Sequence, residues 1–152
     1  MKIVCISDSH GKHKKIKNIP SGDVLIHAGD MTSEGEIETI GSFNKWLGEL
    51  PHRHKIVIAG NHDWSFDNGQ RFLAREMITN ATYLEDSEIT IDGVKFYGSP
   101  WTPEYGEWAF NIPRGEALAS KWSMIPDDVN VLITHGPPKK ILDRGPDDRN
   151  CG

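Results

Sequence analysis

Three features of the 152-residue chain predict an α/β fold. Short apolar runs recur along it. Stretches of helical periodicity lie between them, and four of the runs end on a metal-capable side chain beside a glycine. The runs at 3–6, 24–26, 56–59 and 131–133 are nearly continuous in apolar character. That is expected of strands covered on both faces.

Taken in chain order, 3–6 is a first strand and 24–26 a second. Between residues 35 and 51, Ile37, Ile40, Phe43, Leu47 and Leu50 fall at spacings of three and four and form one apolar stripe, which Pro51 ends. Residues 56–59 read as a third strand, and 70–78 as a short helix. Residues 88–97, with Asp92-Gly93 at their centre, carry the best hairpin signal in the chain, pairing runs 89–91 and 94–97. A further helix is expected over 115–122, then a last strand at 131–133. Residues 143–152, DRGPDDRNCG, read as a polar loop. No repeat, linker or low-complexity segment appears, so 1–152 is expected to be a single domain.

Composition narrows the function classes. Hydrophobic residues make up 37% and charged residues 26%, ordinary for a globular protein. A formal net charge of −5 argues against a broad nucleic-acid-binding or anionic-membrane surface. No run is long enough to span a bilayer, and the opening MKIVCISDSHG is too short for a signal core. A cytoplasmic location is therefore expected. Two cysteines form no framework, so no disulfide is expected between Cys5 and Cys151.

The strand endings carry the chemistry. Residues 3–6 lead to Ser7-Asp8-Ser9-His10-Gly11, 24–26 to His27-Ala28-Gly29-Asp30, 56–59 to Gly60-Asn61-His62-Asp63, and 131–133 to Thr134-His135-Gly136. Ligands in open α/β sheets bind outside the carboxyl ends of strands. If these strands are parallel neighbours, Asp8, His10, Asp30, Asn61 and His135 converge on one rim. Carboxylate, imidazole and amide oxygen suit Mn, Fe or Zn. So many ligands on separate strands fit two divalent ions about 3.5–4 Å apart, sharing a carboxylate. Asp8 and His10, two apart, would share one side of an extended chain and grip one ion. Such a pair of ions serves phosphoester hydrolysis.

The ordered set DSH, GD, GNHD and THG resembles the calcineurin-like metallophosphoesterase superfamily. LIHAGD, HKIVIAGNHDWSFD, YLED, YGSPWTPEYGEWAFNIPRG and LITHGPPKKILD are similar to its subgroup of metallophosphoesterase-domain proteins of the brain and adult-brain type, which has bacterial relatives. The resemblance covers nearly the whole chain. It implies a metallophosphoesterase-type β-sandwich flanked by helices, a four-layer αββα fold. It implies Asp8 and His10 on one metal, Asp30 bridging, and Asn61 and His135 on the second. A hydroxide bridging the ions would attack phosphorus, with His62 donating the proton or contacting phosphate. Asp63 would support the loop.

The family closes its site with a later Gly-His-x-His motif, which these residues do not contain. The expectation is a C-terminally shortened domain, without the last strand and metal motif. Weaker metal retention and a seam favouring homo-oligomers would follow. The implied substrate is a small phosphodiester, cyclic nucleotides included. Kept beside it are a nuclease of the same superfamily and an impaired nucleotide- or protein-binding module.

Other residues carry two readings each. Asp8, Asp30 and Asn61 also suit turns, and His62 also suits a hydrogen bond within its loop. Arg114 suits a phosphate contact or the surface of a helix start. Trp101, Tyr105, Trp108 and Phe110 could wall a substrate pocket or cap the core. The His52-Arg53-His54 triplet and the His13 cluster with Lys12, Lys14 and Lys15 read as solvated turns. His27 reads as a packed or hydrogen-bonded histidine, and Cys5 as a small core residue.

Overall fold

The computed structural model describes residues 1–145 and 152. Most of the predicted tail loop, with Cys151, lies outside the described residues. In chain order the elements are β1 (Ile3–Ile6), β2 (Val24–Ala28), α1 (Ile37–Glu49), β3 (His54–Ile58), α2 (Arg71–Met77), β4 (Thr82–Tyr83), β5 (Ser87–Ile91), β6 (Val94–Ser99), β7 (Thr102–Pro103), β8 (Asn111–Ile112), α3 (Glu116–Trp122) and β9 (Val131–Thr134).

Two sheets pack face to face. The first runs β1-β2-β3-β4, all parallel. The second runs β5-β6-β9, with β5 and β6 antiparallel and β9 parallel to β6. Alternation along β2 and β3 explains both faces. Val24, Ile26, Ile56 and Ile58 point between the sheets and meet Ile91, Phe96 and Ile133. Leu25 and Val57 point the other way, into a layer with Ile40, Phe43 and Leu47 of α1 and Ala74 of α2. The helical stripe also includes Trp46, which is buried although absent from the predicted set. The hairpin turns on Asp92 and Gly93 with φ of 49° and 79°, the left-handed pair such a turn needs.

One expectation about placement fails. The four motif strands are not all neighbours, because β9 lies in the second sheet. His135 therefore reaches the rim from across the sandwich. Three readings of single residues also fail. His13 is buried, with Nε2 3.1 Å from Ser42 Oγ and its ring against Phe43 and Trp46, because Ser42 and Phe43 of α1 pack over it. His52 is buried too, its Nε2–H donating to the Pro20 carbonyl at 2.9 Å. Cys5 is exposed, because β1 is an edge strand whose Val4 side meets one core layer, while the side it shares with Ile3 is only partly covered.

Candidate metal centre

The site forms where β1, β2 and β3 end together and β9 ends opposite them. Just past β1 the backbone leaves the extended region. Asp8 has φ of 54° and His10 φ of 40°, and Asp30 after β2 has φ of 58°. Left-handed backbone is uncommon outside glycine and clusters at functional sites. The β1–β2 ladder carries it: Asp8 N–H donates to Gly29, His10 N–H to Asp30 and Gly11 N–H to Met31 carbonyls, at 3.0, 3.0 and 2.9 Å. This stretch is not extended, so the alternation of an extended chain does not set the relation of Asp8 to His10.

Among the described residues two triads form, and within each the ligand atoms all lie within 4.8 Å of one another: His10, Asp30 and His62, and Asp8, Asp30 and His135. Asp30 belongs to both, and its two oxygens face different imidazoles. Oδ2 is 3.6 Å from His10 Nε2, and Oδ1 is 3.4 Å from His135 Nε2. Asn61 joins through Oδ1, 2.9 Å from His135 Nε2. The structure thus brings together Asp8, His10, Asp30, Asn61, His62 and His135. Arg114 instead lines a cavity of about 520 Å³ with Trp101, Leu118 and Leu132, where its Nη1 donates to the Gly152 carbonyl at 2.6 Å.

All three imidazoles are turned the same way. His135 Nδ1 lies 2.8 Å from the Ala28 carbonyl, His10 Nδ1 3.2 Å from Thr32 O, and His62 Nδ1 2.8 Å from Ser33 O. A carbonyl can only accept, so each Nδ1 carries the hydrogen and each Nε2 is left as the free donor atom. Imidazoles that bind metals are oriented in this way by outer partners. Close-packed glycines allow the approach. A Cβ on Gly60 would sit 2.7 Å from His135 Cε1, and one on Gly29 2.5 Å from His135 Nδ1.

The electrostatics point to a cation. Burial lifts the Asp30 pKa, but the His135 hydrogen bond and charge and the His62 N–H bring it below the ordinary carboxylate value. Burial opposes charge on His135, yet Asp30 overrides it and raises that pKa to about 9. His135 Nε2 faces two oxygens, Asn61 Oδ1 at 2.9 Å and Asp30 Oδ1 at 3.4 Å, a position that favours positive charge. The residues present therefore suit divalent ions.

Outer supports complete the centre. Asp63 is fully buried and accepts from Gly60 N–H at 2.8 Å and Thr32 N–H at 2.8 Å, as the loop-supporting reading expects. His27 is packed and hydrogen-bonded, with Nε2 3.1 Å from Ser9 Oγ. Sequence reasoning missed what aligns the imidazoles, since main-chain carbonyls leave no residue signature.

A model of the calcineurin-like phosphoesterase family matches residues 1–151. The chain belongs to the calcineurin-like phosphoesterase family. It is 45% identical over 166 residues to metallophosphoesterase domain-containing protein 1 of Homo sapiens, covering 93% of this chain and 50% of that protein, with the same figures for the Mus musculus protein. It is 43% identical over 162 residues to UPF0046 protein K07C11.7 of Caenorhabditis elegans, covering 98% of this chain and 55% of that one. The chain thus spans about half the length of these relatives. A solved structure superposes with a TM-score of 0.69 at 19% identity, covering 99% of this chain and 76% of its own, which shows the shared fold. Among the described residues of this phosphoesterase-family chain, no helix is long and apolar enough to cross a membrane.

Proposed function

We propose that the chain is a metal-dependent phosphodiesterase acting on small phosphodiesters, cyclic nucleotides among them. Family membership supports the metal-dependent phosphoesterase class, and one observation carries the site: two donor triads share the Asp30 carboxylate. Asp30, Asp8, His10, Asn61 and His135 would hold two divalent ions of Mn, Fe or Zn. A pair of such ions supplies Lewis acidity and an activated water at neutral pH.

The chain's own residues do the rest. Asp30 splits its two oxygens between the two triads, which fixes their separation. Thr32 and Ser33 carbonyls set the His10 and His62 rings. His62 keeps Nδ1 bonded to Ser33, so Nε2 is the atom that would take up a proton and, in the doubly protonated ring, pass it to the leaving oxygen. The net charge of −5 favours small substrates over polynucleotides.

The test is hydrolysis of bis-p-nitrophenyl phosphate and of cyclic nucleotides with and without Mn²⁺. Turnover that requires the metal and disappears in Asp30→Ala is expected. Turnover indifferent to Asp30→Ala would overturn the proposal.

A further inference from the structure

The structure separates the four aromatics of the loop after the hairpin. Phe110 is buried at 1% exposure, a core residue. Trp101 packs edge-on against Phe110 and donates its indole N–H to Asp86 at 2.8 Å, so it too is structural. Tyr105 sits 67% exposed at the tip. Trp108 differs from all three. Its ring lies 4.3 Å from the His62 ring at 37°, and 38% of the residue is exposed. His62 in turn meets His10 edge-on at 4.7 Å. A row of rings therefore runs outward from the triads, through His10 and His62, to an indole that keeps an open surface.

The loop holds that indole firmly. β7 and β8 pair across its base, and Thr102 N–H donates to the Phe110 carbonyl at 3.0 Å. The residue after Trp108, fully buried Ala109, donates its N–H to the Asn61 carbonyl at 3.1 Å. Phe110 N–H donates to Asp67 at 2.9 Å. Trp108 is thus tied through its next neighbours to the same β3 loop that carries Asn61 and His62. A large apolar side chain held rigid, half open and beside His62 has the form of a stacking platform.

We propose that Trp108 binds a flat aromatic ring carried by the leaving group of the substrate, and so selects aryl or nucleoside phosphoesters over alkyl and sugar ones. The proposal rests on the phosphoesterase reading, which puts the leaving oxygen beside His62. The ring would then lie beyond His62, where the indole is. Base–aromatic stacking corresponds to roughly tenfold or more in affinity.

Binding separates this proposal from catalysis. Calorimetry on the Mn²⁺-loaded chain compares two matched pairs: phenylphosphonate with methylphosphonate, and adenosine 5′-monophosphate with ribose 5-phosphate. At least one aromatic member is expected to bind about tenfold tighter than its partner. Trp108→Ala should erase that advantage and leave the non-aromatic member unchanged, while Trp108→Phe should keep most of it. The pair that discriminates shows whether the ring sits on the ester oxygen or one sugar away. Equal affinities within both pairs would overturn the stacking role alone. So would an equal loss for all four compounds in Trp108→Ala, since the indole would then only prop His62. No binding of any of the four, with no turnover of any ester, would sink both readings.

Discussion

Replacing Asp63 tests the frame of the site most directly. Its Oδ1 accepts from Thr32 N–H and lies 2.7 Å from the Thr32 hydroxyl. Its Oδ2 accepts from Gly60 N–H at 2.8 Å and Met31 N–H at 3.3 Å. One side chain therefore staples the loop after β2 to the loop after β3. Burial raises the Asp63 pKa above 3.8 although the Thr32 and Gly60 bonds pull it down, so the carboxylate matters as an acceptor more than as a charge. Asp63→Ala leaves three buried N–H groups unpaired. At about 1–3 kcal/mol each, discounted for the long Met31 bond and for entering water, the loss is roughly 4 kcal/mol. That is a large share of the ~5–15 kcal/mol that holds a domain together. Asp63→Asn can turn its NH₂ toward the Thr32 hydroxyl and keep its oxygen on Gly60, so it loses one bond and about 1–2 kcal/mol. Urea unfolding followed by tryptophan fluorescence, in chelator, gives both values, and elemental analysis gives metal retention. Alanine is expected to lose more of both than asparagine. Equal stability of the two variants, or an alanine loss under about 1 kcal/mol, would refute the staple.

Three further outcomes are expected. His62→Gln should keep the metal content of the parent while kcat falls about 10²- to 10⁴-fold, the usual loss on removing an acid–base group; loss of an ion on elemental analysis would make His62 a ligand instead. Gly29→Ala combines a φ of 100° with a Cβ 2.5 Å from His135 Nδ1 and 2.9 Å from the Ala59 carbonyl, so the imidazole must leave the Ala28 carbonyl. Metal titration should show a weakened ion while the far-ultraviolet circular dichroism is kept; unchanged affinity would contradict the close packing. Burial, with the His135 charge, lowers the His27 pKa to about 3 against 6.5 unfolded. The unfolded chain then binds the extra proton between those values, so stability is full above pH 6.5 and declines as pH falls toward 3. His27→Gln should flatten that decline between pH 6.5 and 5, and an unaltered slope in denaturant melts would refute the assignment.

What the sequence disclosed and what it concealed divide along physical lines. Strands β2 and β3 were legible because burial on both faces demands unbroken apolar runs, and the hairpin because Asp92-Gly93 satisfies a turn few residues can make; β1 and β9 also read as apolar runs, but the expected two-sided cover fails there, where Cys5 and Leu132 are exposed. The two-residue β4 has no periodicity to read. The resemblance implied a two-sheet sandwich, but which strand joins which sheet was hidden from the residue pattern, since an apolar strand reads alike whether a helix or a second sheet covers it. The ligand-type residues were legible as strand endings, but not their grouping. Positive φ at Asp8 and His10 takes this stretch out of the period of two, and Asp8 lies in one donor group with Asp30 and His135. His13 looked solvated among lysines, because the cover comes from Ser42 and Phe43, thirty residues away in the chain.

The outer support of the centre comes largely from one short segment, residues 28–33. Asp30 supplies the shared carboxylate. The carbonyls of Ala28, Thr32 and Ser33 accept from His135, His10 and His62. The N–H groups of Met31 and Thr32 donate to Asp63, which fixes the segment against the β3 loop. Rings from three different elements, one of them across the sandwich, thus take their orientation from one backbone path. Left-handed backbone at Asp30 gives that path its bend, and the β1–β2 ladder holds it there through Gly29, Asp30 and Met31 carbonyls. A site built so is organised before any ion arrives, and the strain it stores is carried by hydrogen bonds outside the donor set.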